Sequence, residues 1–88
     1  METSDVCLTL SYSFTGRIVT KMVQRINQMN SRVYLEKGMR TVNMRSILGV
    51  LSAGCMAGDT IKIMCLNDDL EQAKKDLEII KKMIELGE

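Results

Sequence analysis

Val6, Leu8 and Leu10 alternate with Cys7, Thr9 and Ser11, the period of a strand with one face buried. After Ser13-Phe14-Thr15-Gly16 the period changes. Ile18, Val19, Met22, Val23, Ile26 and Met29 recur at helical spacing, with Arg17, Lys21, Gln24, Arg25 and Gln28 between them, which predicts a first helix capped at Thr15. Asn30-Ser31 breaks it. Val33 and Leu35 then point one way and Arg32, Tyr34 and Glu36 the other, Lys37-Gly38-Met39 supplies a glycine for a tight turn, and Arg40 to Val42 returns as a third strand.

The next stretch, from Asn43 to Gly54, predicts a short helix of two turns. Ser46 stands just ahead of Ile47, Leu48, Val50 and Leu51, where a side-chain oxygen can accept from an unpaired backbone N–H, and Gly54 can take the left-handed conformation that closes a helix. Two turns cannot bury all four apolar residues on one face, so some of that surface stays exposed. Ile61, Ile63 and Cys65 alternating with Thr60, Lys62 and Met64 form a fourth strand. Asn67-Asp68-Asp69 caps a long final helix, whose stripe is Leu70, Ala73, Leu77, Ile80 and Ile84 and whose later Lys81 and Lys82 suit the helix dipole. The order strand, helix, strand, strand, helix, strand, helix is most simply buried as an α+β open-faced β-sandwich, βαββαβα, with helices on one face of a four-stranded sheet.

Eighty-eight residues suit one domain, residues 1–88, able to bury roughly 60 to 70% of its unfolded surface. With 45% apolar and 26% charged residues and no proline, the composition is that of an ordinary globular chain. Twelve basic against 11 acidic residues read as interleaved, leaving no field to gather nucleic acid or anionic lipid. The cysteines, Cys7, Cys55 and Cys65, have no Cys-x-x-Cys spacing and no histidine to complete a zinc site, so they read as small buried hydrophobes, with no metal or cofactor expected. No basic-then-apolar leader and no membrane-length apolar run occurs, which predicts a reduced, cytoplasmic setting. Met22, Met29 and Met83 fall on helix faces expected to be core.

Several of these residues occur in a familiar order. Val33-x-Leu35-Glu36, then Thr41-Val42-Asn43-x-x-Ser46-Ile47-x-Gly49-Val50-x-Ser52-x-Gly54, then Gly58, Ile61 and the ending Leu86-Gly87-Glu88 closely resemble HPr, the histidine-containing phosphocarrier of the bacterial sugar phosphotransferase system. The resemblance runs nearly end to end. It implies a four-stranded antiparallel sheet backed by three helices, a phosphorylatable histidine at the start of the first helix and, in many Gram-positive members, a regulatory serine. The histidine position falls at Thr15: the family's Gly-x-His-Ala-Arg-Pro motif is replaced by Ser13-Phe14-Thr15-Gly16-Arg17-Ile18, and of its reactive parts only Arg17 remains.

Phosphoryl relay needs a phosphoimidazole that passes its group onward, and a hydroxyl without a neighbouring base is a poor nucleophile. Carrier activity and catalysis are therefore expected to be absent, with Thr15 serving as a cap. The resemblance leaves the serine that matches Ser46. It implies phosphorylation by HPr kinase and docking on the catabolite control protein, as in the histidine-less catabolite-repression HPr-like proteins. Arg17 and Arg45 are then expected to frame the anion, and Ile47, Leu48 and Leu51 to supply apolar contact, with Val50 turned inward. Spacing alone makes Ser46 a plain N-cap and Arg17 a solvated charge. Two other readings stand beside this one: an unmodified degenerate HPr fold that binds or homodimerises, and a carrier with the atypical acceptor Thr15.

Overall fold

The computed structural model describes residues 1–87; Glu88, part of the terminal match, lies outside the described residues. The elements are β1 (Glu2–Thr9), α1 (Gly16–Ile26), β2 (Arg32–Lys37), β3 (Arg40–Asn43), α2 (Ile47–Ser52), β4 (Thr60–Asn67) and α3 (Leu70–Leu86). The four strands form one antiparallel sheet in the order β1-β4-β2-β3. This is the α+β open-faced sandwich that the periodicity predicts.

Register explains why the inward face is apolar. Val6 lies opposite Ile63, Ile63 opposite Leu35 and Leu35 opposite Val42, so one row of branched side chains crosses the whole sheet. Val19, Met22, Val23 and Ile26 of α1, with Ala73, Leu77, Ile80, Met83 and Ile84 of α3, close over that row. The helix α3 packs on β1 and β4, and α2 packs beside α1 and the end of β3. Tyr12 locks the β1–α1 connection to α3 by donating its hydroxyl to the Ile84 carbonyl.

Two boundaries and one burial differ from the sequence reading. The strand β1 begins at Glu2 rather than Val6, because ladder bonds to β4 hold even its polar start, from Glu2 opposite Asn67 to Asp5 opposite Met64. The helix α1 stops at Ile26 instead of running on through Met29. Its chain tightens into three-residue turns there, with Gln28 N–H on the Arg25 carbonyl (3.1 Å) and Met29 N–H on the Ile26 carbonyl (3.0 Å). Cys7 is exposed, whereas Cys55 and Cys65 are buried as expected, since the alternation that sends Val6 and Leu8 inward sends Cys7 to the open face.

Candidate functional site

A tight turn from Asn43 to Ser46 builds the site. The Ser46 N–H donates to the Asn43 carbonyl (3.1 Å), and the Arg45 N–H donates to the Asn43 side-chain oxygen (2.8 Å). Met44, fully buried, pins the turn to β2 through its N–H on the Val33 carbonyl (2.9 Å) and leaves Ser46 exposed. Ser46 is the N-cap of α2, with extended φ and ψ, and its Oγ accepts from the Gly49 N–H at 3.0 Å. A side chain at Gly49 would be crowded. A Cβ on it would stand 3.2 Å from both Ser46 Cβ and Oγ and 3.3 Å from the Asn43 carbonyl oxygen.

The six residues of α2 divide their apolar side chains as the two-turn length requires. Val50 is fully buried, while Ile47 and Leu51 are each 37% exposed and Leu48 is 80% exposed. Met56, 61% exposed, lies in the loop that follows. Gly54 ends the helix with φ +62°. Its carbonyl accepts from Lys37 Nζ (2.7 Å), which also pairs with Asp59 (2.9 Å), and Asp59 in turn accepts the Met56 N–H (2.8 Å). The Lys37 hydrogen bond, then that of Met56, holds the Asp59 carboxyl below the usual carboxylate range. Lys37 and Asp59 thus fix the loop carrying Met56.

Two of the residues expected to frame an anion are placed differently. Arg45 lies within the turn but sends its guanidinium back to the chain just past α1, where Nη2 donates to the Met29 carbonyl (2.6 Å) and the Ser31 carbonyl (2.7 Å) and Nη1 to the Asn27 carbonyl (3.4 Å). Those carbonyls need donors because the chain leaves helical geometry there. Arg17 sits exposed in the first turn of α1, which is tied to the far end of α2 by Phe14 N–H on the Cys55 carbonyl (2.9 Å). The helices α1 and α2 therefore run antiparallel, and α2, about 9 Å long, separates Arg17 from Ser46. Thr15 is the N-cap of α1, its Oγ1 accepting from Ile18 N–H at 3.4 Å. No group of three or more histidine, cysteine or acidic side chains that could hold a metal occurs among the described residues.

The family model for the PTS HPr component phosphorylation site matches residues 4–84. The chain belongs to the HPr family. Among curated relatives it is 29% identical over 77 residues to the HPr-like protein Crh of Halalkalibacterium halodurans, covering 88% of this chain and 92% of that protein. The corresponding protein of Bacillus subtilis is also 29% identical over 77 residues, covering 88% and 91%. The crystal structure of the phosphocarrier protein HPr from Bacillus anthracis superposes with a TM-score of 0.81 at 25% identity, covering 93% of this chain and 96% of that one. Crh of Bacillus subtilis, described as a swapped dimer, gives a TM-score of 0.75 at 25% identity, covering 99% and 97%.

Within this HPr fold, the charge pattern corrects the reading of interleaved charges. Between Leu10 and Gly58, seven basic residues, Arg17, Lys21, Arg25, Arg32, Lys37, Arg40 and Arg45, stand against one acid, Glu36. Arg17, Lys21 and Arg25 belong to α1 and Arg40 to β3, the two elements that pack on α2, so tertiary packing brings basic elements beside it. Arg40 shows this directly by donating to Ser52 Oγ (3.1 Å).

The sequence reading also missed a buried polar cluster. Asp76, 3% exposed, lies on the inner stripe of α3 between Ala73 and Ile80, and an acid at such a position was the available signal. Its carboxylate and burial together push the neighbouring Cys65 thiol up to about 12, burial being the larger cause.

Proposed function

We propose that this HPr-family chain is a non-enzymatic regulatory protein, phosphorylated on Ser46 by an ATP-dependent HPr kinase and recognised through α2 by a transcription regulator of the catabolite control type. The supporting observation is an exposed cap hydroxyl adjoining the 80%-exposed Leu48, with Ile47 and Leu51 beside it, in a chain that has no histidine. Phosphorylation would place about −1.5 to −2 charges where the backbone N–H groups of α2 begin, a stabilising position that asks for no change of fold. A phosphate oxygen can take over the Gly49 N–H that the hydroxyl now accepts. Thr15 offers no comparable carrier chemistry: a threonine ester lacks the transfer potential of a phosphoimidazole.

The test incubates the protein separately with HPr kinase plus ATP and with enzyme I plus phosphoenolpyruvate, then locates added phosphate by mass. One phosphate on Ser46 in the first reaction and none in the second is the expected pattern. Kinase labelling that survives Ser46→Ala overturns the regulatory reading, and label on Thr15 from the second reaction restores the carrier.

A second reading, a homodimerising module, is favoured by one feature. The strand β1 is an edge of the sheet, and with α3 it borders a groove of about 400 Å³ lined by Val6, Leu8, Leu10, Tyr12 and Ile84. Light scattering on the purified chain distinguishes monomer from dimer.

A further inference from the structure

The cluster around Asp76 joins α3 to the turn that carries Ser46. Asp76 Oδ2 accepts both the Ser31 hydroxyl (2.6 Å) and the Ser31 N–H (3.2 Å), and Oδ1 accepts Gln72 Nε2 (2.9 Å). Asn67 Nδ2 donates to the Ser31 hydroxyl oxygen (3.1 Å). Ser31 is fully buried, and its own carbonyl accepts Arg45 Nη2 at 2.7 Å. A single residue therefore stands between a buried carboxylate and a guanidinium. Asp76 has no ion-pair partner among the described residues. Burying a carboxylate is costly, and here the cost is offset by three donors.

That arrangement matters because Arg45 immediately precedes Ser46. An arginine beside a phosphate normally forms paired, charge-assisted hydrogen bonds to it. Here the guanidinium is already committed to carbonyls of residues 27, 29 and 31 at the end of α1. Asn43 and Gly49, the other hydrogen-bonding neighbours of the turn, carry no charge.

We infer that the Asp76–Ser31–Arg45 relay keeps the Arg45 guanidinium off a phosphate carried by Ser46, leaving that phosphate for the basic side chains of a partner. This rests on the reading of Ser46 as a phosphorylation site. Asp76 is on this account a positioning residue: it fixes Ser31, whose carbonyl accepts from Arg45. Without the carboxylate, Arg45 turns to the phosphate, and the protein quenches its own signal.

The experiment installs phosphoserine at position 46 by genetic encoding, independently of any kinase, and follows the second ionisation of the phosphate by phosphorus NMR. A nearby cation favours the dianion and lowers its midpoint. In the otherwise wild-type protein Arg45→Met leaves the midpoint unchanged to within about 0.1 pH unit, because Arg45 is not on the phosphate. Asp76→Asn, which keeps the shape of the side chain, lowers it by about half a unit, and adding Arg45→Met restores it. Arg45→Lys, whose ammonium cannot span three carbonyls, gives the same lowering with the carboxylate intact and serves if Asp76→Asn fails to fold. A midpoint raised by Arg45→Met alone, or unmoved by Asp76→Asn in the folded protein, overturns the inference, as does one unmoved by Arg45→Lys where Asp76→Asn does not fold. Failure of the phosphorylation reading appears elsewhere, as wild-type protein that HPr kinase leaves unlabelled.

Discussion

Gly49→Ala tests the geometry of the Ser46 cap directly, because two effects of known size oppose each other. Alanine in a helix interior is favoured over glycine by about 1 kcal/mol, so on propensity alone the substitution stabilises. The added Cβ, however, meets Ser46 Cβ and Oγ at 3.2 Å and the Asn43 carbonyl oxygen at 3.3 Å. Neither neighbour can retreat without loss. The Asn43 carbonyl holds the Ser46 N–H (3.1 Å) and its side chain the Arg45 N–H (2.8 Å), while Ser46 Oγ holds the Gly49 N–H (3.0 Å). Displacing the serine forfeits the cap, about 1 kcal/mol, and crowding in a packed turn costs about 1–3 kcal/mol more. Gly49→Ala is therefore destabilising by at least about 1 kcal/mol, a fall in Tm of about 4–8 °C for a chain this size. Ser46→Ala in the same background removes the Oγ contact, so the two losses sum to less than their separate values. Thermal unfolding by circular dichroism reads all four proteins. An unchanged or higher Tm for Gly49→Ala refutes the reasoning.

On α2, Leu48→Asp at 80% exposure should leave stability within about 0.5 kcal/mol while abolishing binding of the phosphorylated chain to its regulator in calorimetry, whereas the fully buried Val50→Ala should cost about 2 kcal/mol of stability in urea. The Asp59 carboxyl, held low by Lys37, contributes stability above its unfolded pKa of about 4 and loses it as pH falls through the lowered value. The Tm difference between wild type and Asp59→Asn should accordingly be present at neutral pH and close in acid; a constant difference would show that Lys37 is not the partner. A thiol reagent should titrate one cysteine in the native protein, the exposed Cys7, and all three after unfolding, since burial shields Cys55 and Cys65 and raises both thiols.

Local pattern was enough for the elements themselves. Alternation at Val6 to Leu10 and Ile61 to Cys65, the stripe of α3, and the caps Thr15 and Ser46 all depend on residues within a few positions of one another and are found where the sequence places them, and of Asn67-Asp68-Asp69 it is Asp69 that caps α3. That some apolar surface of α2 stays exposed also followed from helix length, while the inward Val50 was what the resemblance implied.

What escaped depends on partners far along the chain. The start of β1 is set by pairing with Asn67 to Met64, and periodicity is blind to polar strand ends held only by a ladder. Arg45 and Arg17 are both charges near a cap in sequence. Folding sends one to the carbonyls at the end of α1 and leaves the other at the opposite end of α2, because α1 and α2 run antiparallel. The seven basic residues were countable from the start, yet only packing sets α1 and β3, which carry four of them, against α2. Sequence by itself determined that a serine caps a short apolar helix in an HPr-like chain without histidine. Which charges surround that serine was decided by tertiary structure, since hydrogen bonds spanning 14 to 45 residues join Ser31 to Arg45 and to Asp76.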